Sequence, residues 1–122
     1  MIFDTNILIY ISKNVLKITD LIPPNSSAQI SVISYVEAMG FSFETEIAER
    51  YMQEICSSCQ IIPLSESVIQ ETITIRKQYR IKLPDAIIYA TALVQKLPLL
   101  TNNIADFKSL GNKVELIDPF KL

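Results

Sequence analysis

Five short strand-like segments recur along the chain: Met1-Ile2-Phe3, the apolar-polar alternation Ala28 to Val32, Cys59 to Leu64, Leu99-Leu100-Thr101 and Lys113 to Ile117. Stretches of helical period fill most of the intervals between them. Strands this apolar have little polar face to offer water, so they belong in a sheet covered on both sides. Connections of helical length join such strands in parallel. The expected fold is therefore α/β, a three-layer α/β/α arrangement around a central, mainly parallel five-stranded sheet. A chain of 122 residues, 49% hydrophobic, with only 2 Gly and 6 Pro, is neither disordered nor repetitive. It is expected to form a single domain over residues 1–122, because two halves would each be too small for a proper core.

The helical intervals carry their own punctuation. Ile7 to Ile11 follow the first strand as a helix, and Pro23-Pro24-Asn25-Ser26-Ser27 is a loop by composition. Ser34-x-x-Glu37 and Ser67-x-x-Gln70 have the spacing of capping boxes, and Gly40 marks a break or a close-packing point. Glu44 to Ile55 reads as an amphipathic helix through Ile47, Tyr51, Met52 and Ile55. The helix after Ser67 ends in Arg76-Lys77-Gln78-Tyr79-Arg80, whose cations complement its dipole. Pro84 suits the first turn of a helix from Asp85 to Gln95 that is apolar almost all round, hence buried on several sides. Asn102-Asn103 forms a turn before a short helix at Asp106-Phe107-Lys108.

Composition narrows the chemistry. The chain has no His and no Trp, which removes Ser-His-Asp, Cys-His and His-zinc catalysis. Net charge is −2, so a polyanion partner held by bulk charge is not expected. The charges are nevertheless sorted along the chain. Residues 1–75 hold three cations against nine acids, and residues 76–122 hold eight cations against four. Cys56 and Cys59 form C-x-x-C. The motif closes a helix and leads into an apolar run, where a redox pair would follow a strand and open a helix. Two reduced, partly buried thiols are expected. No basic segment precedes an apolar leader and no run reaches membrane-spanning length, so a cytoplasmic protein without a membrane partner is expected.

In an open parallel sheet, ligands bind beyond the carboxyl ends of the strands. Asp4 ends the first strand, Glu37 lies one turn into the helix after the second, and Asn103 follows the fourth. Asp85 opens the apolar helix behind Pro84. Each has a bland role open to it: Asp4 as a helix cap, Glu37 as half of its capping box, Asp85 as complement to a dipole, Asp106 as the cap of its short helix. Taken together, clustered carboxylates without an assigned cation would repel one another, and a divalent ion resolves the repulsion.

Four segments carry a resemblance: Phe3-Asp4-Thr5-Asn6-Ile7-Leu8-Ile9-Tyr10, Ser31-Val32-Ile33-Ser34-Tyr35-Val36-Glu37, Lys82-Leu83-Pro84-Asp85-Ala86-Ile87-Ile88-Tyr89-Ala90 and Leu100-Thr101-Asn102-Asn103-Ile104-Ala105-Asp106-Phe107. In order and spacing they resemble the signature segments of PIN-domain ribonucleases, closest to the VapC-type toxins of toxin-antitoxin systems, from Met1 to about Asp118. The resemblance implies a PIN-like fold and a Mg²⁺- or Mn²⁺-dependent endoribonuclease. Asp4, Glu37 and Asp85 would be its principal metal-binding and catalytic acids. Asn103 stands where a fourth acid is usual, with Asp106 three residues on. Thr101 and Asn103 would support metal and phosphate, and Thr5 and Asn6 would orient Asp4. The physical chemistry agrees, since carboxylates completed by water suit Mg²⁺ or Mn²⁺. Arg80 and Lys82, ahead of Asp85, are the expected RNA contacts, with Lys77 more a solvated helix end. The resemblance further implies a cognate antitoxin, for which Ile7, Ile9, Tyr10, Phe41 and Phe43 are candidate contacts, and a toxin homodimer.

Two other readings remain open. A phosphatase of the haloacid dehalogenase type also places an aspartate after its first strand, but it expects a second Asp where this chain has Asn6. A non-catalytic α/β binding module, including a catalytically weak PIN-like one, is kept open by Asn103.

Overall fold

The computed structural model describes residues 1–122. Its strands are short: β1 (Ile2–Phe3), β2 (Gln29–Ser31), β3 (Gln60–Ile62), β4 (Leu99–Leu100) and β5 (Leu116–Ile117). They form one sheet of order β3-β2-β1-β4-β5 in which every pairing is parallel. Ile2 stands opposite Gln29 on one side and Leu99 on the other, and Phe3 opposite Leu100.

Successive strand side chains point to opposite faces, and the two cores follow this alternation. Ile2 and Leu99 join Ile88 and Phe107 in one core, while Phe3 and Leu100 join Ile7, Leu8 and Ile30 in the other. Helices cover both faces: α1 (Thr5–Ser12), α2 (Ile18–Leu21), α3 (Val32–Met39), α4 (Glu46–Ser57), α5 (Glu66–Gln78), α6 (Leu83–Gln95) and α7 (Ile104–Lys108). A 3₁₀ turn, Pro119–Lys121, closes the chain, with Phe120 packed edge-on to Tyr10 at 5.2 Å. The expected α/β/α architecture and its parallel sheet are present.

The helix caps differ from the sequence expectation. Ser31, not Ser34, caps α3, its hydroxyl accepting from the Ile33 N–H at 3.1 Å. Strand β2 therefore stops at Ser31, and Val32, expected in the strand, is the first helical residue. Ser34 lies in the first turn and is fully buried, and Glu37 is too far along the helix to reach its start. The capping box does not form. In the same way Ser65, not Ser67, caps α5 by accepting from the Val68 N–H. Helix α4 starts two residues later than expected, capped by Thr45. Helix α6 starts two residues earlier, at Leu83, with Pro84 still in its first turn. Gly40 ends α3, where a Cβ would stand 2.9 Å from the Val36 carbonyl oxygen, so close approach explains the residue.

Chain direction locates the site. From β1 the chain steps outward through β2 to β3, then returns to β4 on the other side of β1 and steps outward to β5. The order reverses between β1 and β4, and the crevice beyond their carboxyl ends is where a parallel sheet opens to a ligand.

Candidate active site

Asp4 and Thr101 stand at that reversal, one residue beyond β1 and β4. Both are buried, Asp4 with 5% of its surface exposed and Thr101 with none. Asp4 caps α1, its Oδ1 accepting the Thr5 N–H at 2.8 Å. Its Oδ2 accepts the Thr101 hydroxyl at 2.7 Å. That hydroxyl in turn accepts the Asn103 N–H at 2.9 Å, which ties the turn after β4 to the same point. Capping is thus a real function of Asp4, but only one of its oxygens performs it.

Burial pushes the Asp4 carboxyl up to about 6 from an ordinary 3.8; the bonds from Thr101 and Thr5 oppose the rise, and the charges of Asp85 and Glu37 add to it. Asp85, in the first turn of α6, is half-buried. Its pKa is also raised, first by burial, then by Glu37, with Lys82 opposing and Asp106 adding. The three acids expected from sequence therefore face the same rim and act on one another electrostatically. As they stand, no three carboxylates lie close enough to hold a single ion together.

Glu37 is exposed, and its position is set by α1. The Thr5 hydroxyl donates to Glu37 Oε1 at 2.7 Å and stands 3.0 Å from Ser34 Oγ. Thr5 thus touches Asp4 through its backbone and Glu37 through its side chain. Asn6 makes no hydrogen bond to Asp4, and its Oδ1 is buried without a partner. Orientation of Asp4 rests on Thr5 and Thr101. Asn103 Nδ2 donates to Asp106 Oδ2 at 3.0 Å, so Asp106 takes a side-chain amide instead of capping the α7 backbone. The sequence spacing predicts Ser34 as a cap. The same S-x-x-E spacing instead puts Ser34 and Glu37 on one face of α3, against Thr5.

Arg80 and Lys82 are exposed on the turn between α5 and α6. With Asp85, Asp106 and Ser109 they line a cleft of about 320 Å³ beside the rim. An apolar cleft of about 350 Å³ lies elsewhere, between α1 and α4, lined by Ile9, Phe41, Phe43 and Met52. Of the apolar residues expected to meet a partner, Phe41 is exposed, Ile9, Tyr10 and Phe43 are half-buried, and Ile7 is wholly buried in the core. Cys56 and Cys59 are free thiols. Burial pushes Cys56 up to about 11 and raises Cys59 as well, which disfavours a nucleophilic thiolate. The rim is an all-oxygen site of carboxylates, hydroxyls and an amide.

Comparison with known proteins gives the family. The PIN domain family model matches residues 1–113. A toxin-antitoxin complex from Klebsiella pneumoniae contains a chain 32% identical, matched over 97% of this chain and 96% of that one, with a TM-score of 0.77. VapBC-1 from nontypeable Haemophilus influenzae matches at 26% identity over 98% and 99%, with a TM-score of 0.78. VapBC2 from Rickettsia felis, solved bound to a DNA fragment from its promoter, matches at 25% over 95% and 97%, with a TM-score of 0.79. No curated protein matches. The β1–β4 crevice, the four signature segments around it and likeness over the whole chain converge: the chain belongs to the PIN-domain family, and its resemblance is to the VapC type.

Proposed function

We propose that the chain is a Mg²⁺- or Mn²⁺-dependent endoribonuclease, the toxin of a toxin-antitoxin pair. The observation that carries the proposal is the buried Asp4 carboxylate, held at the sheet's reversal by Thr5 and Thr101 with Asp85 and Glu37 acting on it. The donor set fits a hard divalent cation. Every candidate ligand is an oxygen, and the chain has no imidazole to favour a softer metal. Like charges brought together at a desolvated point also favour a cation there.

Asp4 and Asp85 would hold the ion, with Glu37 completing the acidic set. When bound, Mg²⁺ or Mn²⁺ supplies charge to offset the phosphodiester and to acidify a water. The protein's part is positional. Thr101 fixes Asp4 Oδ2, Glu37 orients the attacking water from the exposed side, and Asn103 and Asp106 border the scissile phosphate. Arg80 and Lys82 lead the RNA backbone toward Asp85. Products are expected to carry 5′-phosphate and 3′-hydroxyl ends.

A solved relative 32% identical to this chain is a toxin-antitoxin complex, which supports a protein partner here as well. The apolar cleft at Phe41 and Phe43 is the surface we assign to an antitoxin, on a toxin homodimer. No helix is long and apolar enough to cross a membrane, and an RNA substrate points to a cytoplasmic site of action.

The test is incubation with total cellular RNA, with and without Mn²⁺, and sequencing of the new 5′ ends. Cleavage should require the metal and fall by at least about 10³-fold in Asp4→Asn and in Asp85→Asn, each still folded by circular dichroism. Cleavage that survives both substitutions would overturn the mechanism. Metal-independent RNA binding without cleavage would favour the binding-module reading that Asn103 keeps open.

A further inference from the structure

We infer that Ser34 is a positioning residue, which acts through Thr5 to fix the Glu37 carboxylate at the active-site rim. The inference deepens the nuclease reading and rests on it for its kinetic consequence.

Ser34 is fully buried, yet it is not the cap of its helix, because Ser31 fills that role. Its hydroxyl has one side-chain neighbour, Thr5 Oγ1 at 3.0 Å. Thr5 Oγ1 is also 2.7 Å from Glu37 Oε1. A threonine hydroxyl has a single proton, and a carboxylate can only accept. The shorter contact, to the carboxylate, takes that proton. Ser34 then donates to Thr5, and Thr5 donates to Glu37. Both bonds point outward, toward the carboxylate.

This relay joins two elements that the chain separates by about thirty residues. Thr5 opens α1 directly after Asp4, and Ser34 and Glu37 share a face of α3. Through its backbone N–H and its hydroxyl, Thr5 sets the spacing between the Asp4 and Glu37 carboxylates. An exposed glutamate otherwise samples many rotamers, and ordering it has an entropic cost. A buried donor that fixes the Thr5 hydroxyl removes that freedom before substrate arrives. Hydrogen bonds in such chains strengthen one another, so the Ser34 end is felt at Glu37 without touching it.

The experiment reads Glu37 in metal-free protein and, separately, in the loaded enzyme. Three-bond couplings report whether the Glu37 side chain occupies one χ1 rotamer. Wild type and Thr5→Ser are expected to hold one; Thr5→Val and Ser34→Ala are expected to average. In parallel, Mn²⁺ affinity by electron paramagnetic resonance should fall roughly 10-fold in Thr5→Val and about 3-fold in Ser34→Ala, with Thr5→Ser restoring it. Adding Ser34→Ala to Thr5→Val should cost nothing further, since residues in one relay are not additive. A Glu37 that averages in wild type, or stays fixed in Ser34→Ala, overturns the inference. Additive losses in the double variant overturn it too. Failure of the nuclease reading looks different: wild type would bind no Mn²⁺ and cut no RNA, while the rotamer readings still decide whether the relay exists.

Discussion

Asp4 combines a structural role and an electrostatic liability in one side chain. Its pKa rises from 3.8 to about 6 on folding, so the folded chain holds this proton more tightly than the unfolded chain does. Between those values the folded state carries more protons, and stability falls as pH rises. The contribution is complete below pH about 4 and lost above about 6. At neutral pH the ionised carboxylate therefore costs the metal-free fold on the order of 3 kcal/mol. Asp4→Asn keeps an oxygen for the Thr5 N–H and removes the charge. In EDTA at pH 7.5 its melting temperature should exceed that of wild type, and its stability between pH 4 and 6 should lose most of its slope. Mn²⁺ should raise the melting temperature of wild type and leave Asp4→Asn unmoved. Thermal melts across pH 4–8 check all three; a wild-type curve flat over this interval would show that burial does not act on Asp4 as described. Thr101→Val tests the other side of the same pair. It removes a buried donor to Asp4 Oδ2 and a buried acceptor for the Asn103 N–H, so chemical denaturation should show a loss of about 2–4 kcal/mol.

At the scale of elements, the sheet's composition was readable from its apolar runs, and the ends of its elements were not. A strand of two or three residues gives no periodicity, and neighbouring apolar residues belong equally well to the next helix. Val32 illustrates this: it continues the run from Ala28, but the Ser31 hydroxyl satisfies the Ile33 N–H and turns the chain one residue earlier. Helix α2 has four residues and no side-chain cap, so nothing in the sequence marked it. The S-x-x-E and S-x-x-Q spacings misled because another serine lay two or three residues ahead of each. The correction is measurable in α5. Ser65→Ala should cost about 1 kcal/mol in urea unfolding, whereas exposed Ser67→Ala should change stability by less than about 0.5 kcal/mol. Equal losses would restore the rejected cap. The site was more legible than the caps, because Asp4, Asp85 and Asn103 sit next to strand ends or a proline that composition can locate. The Thr5–Glu37 bond was invisible, since it joins positions far apart whose contact depends on how α1 packs against α3.

Over the whole molecule, charges that are sorted along the chain meet at one end of the sheet. The first 75 residues are net acidic and the rest net basic, and the α5–α6 turn brings cations from the second group beside the acids of the rim. Arg80 and Lys82 line the cleft that contains Asp85, while Lys77 lines only a neighbouring depression with Arg76 and Tyr79. A polyanion bound for the rim must pass the cations nearest Asp85, where Arg80 and Lys82 stand against Asp85 and Asp106, and each phosphate contact releases counterions. Arg80 and Lys82 therefore should carry the salt dependence of RNA binding and Lys77 should not. With a catalytically silent Asp85→Asn background, Arg80→Gln and Lys82→Gln are each expected to weaken binding several-fold at low salt. Each should also flatten the slope of log K against log salt by about 0.7, the value for one single-strand phosphate contact. Lys77→Gln should leave the slope at its starting value. The assay is fluorescence anisotropy between 50 and 300 mM KCl, roughly the range over which counterion release dominates. A slope insensitive to Arg80 and Lys82 but reduced by Lys77→Gln would route the RNA past the outer depression, away from Asp85, and separate the basic turn from the acids it adjoins.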